Sequence, residues 1–175
     1  LGADIRYHDL VEGVFQIDEV CVRTQYLDHP ALTLGYRIEA DGVCVVYASD
    51  HEPVAREPVP GPRELAGREA GHVAFLEGAD LVIHDAQYTP AEYPTRIGWG
   101  HSTPAYAAAV CRAAGARALA LIHHDPLRSD DDVEAIVAAI RDEVAGWDAA
   151  LDVFAAAEGE TIPLQARGAA QAGSP

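Results

Sequence analysis

Asp80-Leu-Val-Ile-His84-Asp85-Ala-Gln-Tyr88-Thr89, followed after a loop by Gly98-Trp-Gly-His101-Ser102-Thr103, is the stretch on which the reading of this chain turns. Leu81 to Ile83 is an apolar run bounded by polar residues, the pattern of a buried strand. It ends in an adjacent His and acid. The Gly-Trp-Gly loop then delivers a second His, and Ser102 or Thr103 can cap the Ala-rich helix that opens near Pro104. A carboxylate at a strand end can hold one nitrogen of an imidazole at a helix entrance while the other nitrogen faces a substrate. The competing reading is a polar loop with surface histidines.

On either side of this stretch, strands and helices alternate. Val14 to Ile17 and Val20 to Leu27 are β-favouring, and Asp28-His29-Pro30 is a turn with a His at its apex. Leu32 to Ala40 and Val43 to Ala48 flank an Asp41-Gly42 hairpin turn, and the second run leads into Ser49-Asp50-His51-Glu52. A proline-rich loop or lid occupies 53–62. Glu64 to Gly78 reads as a short helix that sets His72 on its surface. Thr103 to Ala114 is a helix stopped at Gly115. Arg117 to Ile122 is a buried strand ending in His123-His124-Asp125. Asp130 to Val144 is an amphipathic helix capped by the Ser129 run, and Leu151 to Ala155 and Thr161 to Leu164 are two final strands. His8 reads as a surface residue. This alternation indicates layered α/β structure. His29, Asp50, His84 with Asp85, and His123 with His124 all stand at strand ends or turns, and imidazole and carboxylate ligands from separate strands suit zinc, manganese or iron.

Composition narrows the function. The 175 residues carry 28 acids against 12 basic residues, a formal charge of −16. That opposes non-specific nucleic-acid or anionic-membrane binding, both of which need a basic face. Apolar residues make up 49%, enough for a core. Cys21, Cys44 and Cys111 form neither a CxxC zinc pattern nor a disulfide framework, which points to a reducing, cytoplasmic setting. No apolar run has membrane-spanning length, and no signal peptide opens the chain. The sequence starts at Leu1 and lacks Met, so it is expected not to be a complete primary translation product: either an upstream part is absent, or the start was removed or left out. Residues 1–164 are expected to form one domain part, and 165–175 a flexible tail.

These motifs together resemble the metallo-β-lactamase superfamily, in the branch of ribonuclease Z and the phosphoribosyl cyclic phosphodiesterases. His29-Pro-Ala-Leu-Thr-Leu-Gly-Tyr-Arg-Ile-Glu39 is similar to the segment with that branch's third-motif His ligand and its following strand. Tyr47-Ala-Ser-Asp50 resembles the strand end with the metal-bridging Asp. His84-Asp85-Ala86-Gln87 is a variant of His-Glu-Ala-Thr, His101-Ser102-Thr103 matches His-Ser-Thr, and Leu121-Ile-His123 resembles the strand ending in the last His ligand. The signature His-x-His-x-Asp-His is absent from the chain. The resemblance implies the C-terminal half of an αββα sandwich, lacking its N-terminal half.

It further implies a phosphodiesterase working through two divalent metals, with zinc expected and manganese or iron as alternatives, and a metal-activated hydroxide. His29, Asp50 and His123 would be metal ligands. His101 would be the general acid, oriented by Asp85. Adjacent strand residues face opposite ways, so only one of His123 and His124 can point at the site, and the resemblance favours His123. His51 would support the site or belong to the lid. Tyr88, Tyr93 and Trp99 could stack on a base or sugar, or pack the loop. The expected partners are a small, cyclic phosphodiester, the missing N-terminal half and a second copy in a homodimer. The expected setting involves neither a membrane nor nucleic acid. Ribonuclease Z grips RNA with an arm between the third-motif His and the bridging Asp, but here a hairpin fills residues 30–49. A ribonuclease Z-like endonuclease and a non-catalytic scaffold are the alternatives. The fragment alone is expected to be inactive.

Overall fold

Three antiparallel connections and three parallel crossovers build a single seven-stranded mixed sheet in the computed structural model, which describes residues 7–148 and 150–166. The strands are β1 (Gly13–Ile17), β2 (Val20–Tyr26), β3 (Leu34–Ala40), β4 (Val43–Ala48), β5 (Leu81–Asp85), β6 (Ala118–Ile122) and β7 (Asp152–Ala155), in sequence order across the sheet. The first four pair antiparallel and β4 to β7 pair parallel. Helices α1 (Pro62–Ala66), α2 (Ala70–Leu76), α3 (Pro104–Ala113) and α4 (Asp130–Ala145) lie in the connections around the parallel half. The Asp41-Gly42 hairpin forms as expected, with both residues at positive φ.

Helix boundaries follow local chemistry. The Thr103 hydroxyl accepts the Tyr106 N–H at 3.0 Å and Pro104 opens α3, while Gly115, at φ +65, follows its end. Ser129 and Asp132 form a capping box on α4. The single helix expected over Glu64 to Gly78 is two short helices, broken at Gly67, whose N–H turns back to the Glu64 carbonyl. Thr161 to Leu164 is not a strand. Ile162 to Gln165 instead line a cleft with Phe154 and Arg117. The expected tail falls outside the described residues from 167 onward.

The two sheet faces differ. Val46, Val82, Leu119, Leu121 and Val153 point towards the helices and pack with Phe75, Leu76, Tyr106 and Val110 into the main core. Burying a large apolar side chain of this kind stabilises by roughly 1.5–3 kcal/mol. On the other face, register sets Tyr36 and Ile38 beside Tyr47 and Val45, then Leu81 and Ile83, then Ala120 and Ile122, then Phe154. That face is apolar yet open in its antiparallel half: Tyr26, Ile38 and Tyr47 are 37–40% exposed. Among the described residues no helix is long and apolar enough to cross a membrane. Cys44 and Cys111 are buried free thiols, and Cys21 is a half-buried one.

Candidate metal centre

The site forms where β4, β5 and β6 end. Strand alternation splits the adjacent His84 and Asp85: His84 turns to the helix face, and Asp85 turns the other way. Asp85 is fully buried and its carboxylate takes three protein donors. Oδ1 accepts the Ser102 N–H at 2.9 Å and the Gln87 N–H at 3.2 Å, and Oδ2 lies 2.6 Å from His101 Nδ1. A carboxylate only accepts, so His101 carries its proton on Nδ1 in this bond and presents Nε2 away from it. Burial would push the His101 imidazole down. The hydrogen bond and charge of Asp85, with Asp50 and Glu52 further out, outweigh burial and raise its pKa above the ordinary value. The imidazolium is therefore favoured further into the neutral range.

Asp50 and His123 meet across the ends of β4 and β6. His123 Nε2 lies 3.1 Å from Asp50 Oδ1, and its ring stacks on His101 with centroids 4.6 Å apart. Both residues sit at positive φ, Asp50 at 58° and His123 at 59°. Non-glycine residues pay of order 1–3 kcal/mol for sparsely populated backbone, and such positions cluster at functional sites. Strand alternation does not apply to His123 and His124, because the strand stops at Ile122. His123 nevertheless faces Asp50, whereas both ring nitrogens of His124 are buried without a protein partner.

His29 stands at the rim, its ring centroid 5.7 Å from that of His101. Its Nδ1 contacts the Ala31 N–H at 3.1 Å and the Thr33 hydroxyl at 3.2 Å, leaving Nε2 for another partner. Asp50, Asp85, His101 and His123 each bring a ligand atom within 4.8 Å of the others. Asp85 is occupied by its three donors. Asp50 and His123 are then the pair best placed to share an ion, since 3.1 Å between donors is compatible with two bonds of about 2.0–2.2 Å. A hard carboxylate and an imidazole fit a divalent ion.

A second group, His51, His72 and His84, lies fully inside the helix layer. His72 is therefore not the surface residue expected from a single helix, and His51 is not part of a lid. His84 Nδ1–H donates to the Asp85 carbonyl at 2.8 Å, which leaves His84 Nε2 to accept from His72 Nε2–H at 2.9 Å. His51 Nδ1 accepts the Asp28 N–H at 3.3 Å, so its Nε2–H donates to Tyr106 Oη at 2.9 Å, and Tyr106 donates to Glu69 at 2.6 Å. Burial first, and then mutual repulsion, hold the His51 and His72 pKa values well below the ordinary one; burial also lowers that of His84. The His51 and His72 rings stack with centroids 3.8 Å apart and an interplanar angle of 11°. Imidazole lone pairs lie in the ring plane, so two parallel rings cannot aim at one ion. This group is a hydrogen-bonded network rather than a ligand set.

Of the aromatic candidates, Tyr93 is buried and donates to Glu52 at 3.1 Å, so it packs the loop. Tyr88 is buried edge-on to His101, with ring centroids 6.0 Å apart. Trp99 is 57% exposed, with the Arg96 guanidinium 4.7 Å over its ring. Sequence reasoning missed Glu52, whose only signal was an acid following a buried strand, and the His51–Tyr106–Glu69 relay.

Residues 14–124 match the model of the Beta-lactamase superfamily domain. Among curated relatives, the ribonuclease Z of Myxococcus xanthus is 32% identical over 120 residues, covering 66% of this chain and 37% of that protein. The ribonuclease Z of Brevibacillus brevis is 34% identical over 87 residues, covering 47% of this chain and 27% of that protein. The chain thus matches only about a third of the length of these relatives. Among solved structures, the metallo-beta-lactamase fold protein YhfI from Bacillus subtilis superposes with a TM-score of 0.55 at 17% identity, covering 82% of this chain and 50% of YhfI.

Proposed function

The chain belongs to the β-lactamase superfamily, and on that basis we propose that it forms part of a metal-dependent phosphodiesterase for small, cyclic phosphodiesters, with His101 as proton donor to the leaving group. The observation that carries this reading is the convergence of Asp50, Asp85, His101 and His123 on one point, with His101 already bound to Asp85. Asp50, His123 and His29 would hold divalent metal, zinc first, and a bound metal would supply Lewis acidity and lower the pKa of water. Asp85 holds Nδ1 of His101 and favours its protonated form. His101 Nε2–H then gives its proton to the departing alkoxide. Trp99 and Arg96 offer that organic group an aromatic surface and a positive charge.

Three groups cannot fill the shells of two ions. The remaining ligands would come from a second half of the same fold, packed on the open apolar face around Ile38 and Tyr47. The 175 residues alone would then bind metal weakly and turn over little substrate.

The curated relatives are ribonucleases Z by name, which makes RNA the second candidate substrate. Against it stand the charge of −16 and the direct β3–β4 hairpin, which leaves no arm between His29 and Asp50. A scaffold without chemistry would have no use for two strained ligand positions and a buried Asp–His pair.

The reading is tested in the intact enzyme with His101→Ala on two substrates. On an alkyl phosphodiester the rate should fall 10²–10⁴-fold. On a bis-nitrophenyl ester, whose leaving group needs little protonation, the fall should be far smaller. Equal losses on both substrates would remove His101 from the leaving-group role.

A further inference from the structure

We infer that Glu52 is a positioning residue that sets His29 and His101 relative to each other through the Gly98–Gly100 loop. Its side chain is 1% exposed, and four donors converge on its two oxygens. Oε1 accepts from Tyr93 Oη at 3.1 Å and from the Gly98 N–H at 2.6 Å. Oε2 accepts from the Gly100 N–H at 2.9 Å and from Arg56 at 2.8 Å. Four donors on two oxygens is what a carboxylate can satisfy and an amide cannot.

The loop held in this way serves both histidines. Gly100 immediately precedes His101 in sequence. Gly100 also sits at φ +93, and a Cβ there would fall 2.0 Å from His29 Cδ2, so its backbone lies directly against the His29 ring. One carboxylate therefore fixes the chain entering the Asp85–His101 pair and the surface on which His29 rests. Partners that orient a ligand from behind are commonly worth 10–100-fold in metal affinity or activity. The inference builds on the reading of His29 as a ligand and His101 as a proton donor.

The test uses the 175-residue protein with ¹⁵N labelling. In Glu52→Gln, of nearly equal volume, amide exchange at Gly98 and Gly100 should accelerate at least tenfold. The contact between the His29 and His101 rings should weaken in nuclear Overhauser spectra, and zinc affinity, read by competition with a chromogenic chelator, should fall 10–100-fold. Asp80→Asn removes a buried carboxylate at the opposite end of β5 from the site and should leave all three readouts unchanged. Tyr93→Phe, which deletes one donor and keeps the carboxylate, should give a smaller effect of the same kind and serves if Glu52→Gln does not fold. Unchanged glycine exchange and ring contact in a folded variant would overturn the inference, as would a loosened loop with unaltered zinc affinity. If the 175 residues alone hold zinc too weakly to read, as three ligand groups for two ions allow, the exchange and ring-contact readouts decide the role of Glu52.

Discussion

Lowering the pH from 7.5 to 5.5 should destabilise this protein by several kcal/mol, and the buried His51–His72–His84 network is the reason. Burial holds all three below their ordinary pKa, His51 and His72 well below it. The unfolded chain protonates these histidines near pH 6.5 and the folded chain does not, so stability is lost as pH falls below that value. Each histidine that stays neutral in the fold costs about 1.4 kcal/mol over this interval. His51 and His72 together cost about 3 kcal/mol, and His84 adds to the loss in the same direction. His101 works the other way: its raised pKa contributes stability that is fully present below pH 6.5 and is lost as pH rises, so it offsets part of the loss. Typical domains hold only about 5–15 kcal/mol in total. Urea denaturation, followed by the fluorescence of Trp99 and Trp147, should show a midpoint lower by on the order of 1 M at pH 5.5. His72→Leu should be less stable at pH 7.5, with a pH dependence shallower by about 1.4 kcal/mol. A midpoint that stays level or rises towards pH 5.5 would refute the neutral network.

Three further outcomes follow from single contacts. Asp85→Asn should leave metal content intact and lower turnover on an alkyl phosphodiester less than His101→Ala does, as rates with metal analysis will show. Gly100→Ala places a Cβ 2.0 Å from His29 Cδ2 at a backbone angle that L-residues avoid. It should cost at least about 1–3 kcal/mol in urea unfolding and disturb the His29 resonances. Ser129→Ala removes half of the capping box on α4 and should cost about 0.5–2 kcal/mol without altering metal binding.

The strands were legible because alternation and apolar runs are local, and each of β1 to β7 lies within two residues of its expected bounds. Thr161 to Leu164 had the composition of a strand, but composition does not supply a pairing partner, and these residues lie beside Phe154 instead. The Asp85–His101 bond was legible from a strand end and a helix entrance that share the site. His72 was not. Its partners are 21 and 12 residues away on other elements, so no local pattern signals its burial. The Glu52 contacts were hidden for the same reason: two of its four donors are glycine amides, which carry no side-chain signature.

Metal content of the intact protein and two variants tests the central claim most directly. Asp50→Ala should lose metal and activity together, because Asp50 and His123, 3.1 Å apart, are the proposed ligand pair. His101→Ala should keep its metal in full while losing turnover, because His101 Nδ1 is committed to Asp85. If instead His101→Ala loses metal in step with activity, or Asp50→Ala retains it, the division between metal-holding and proton-donating residues is wrong.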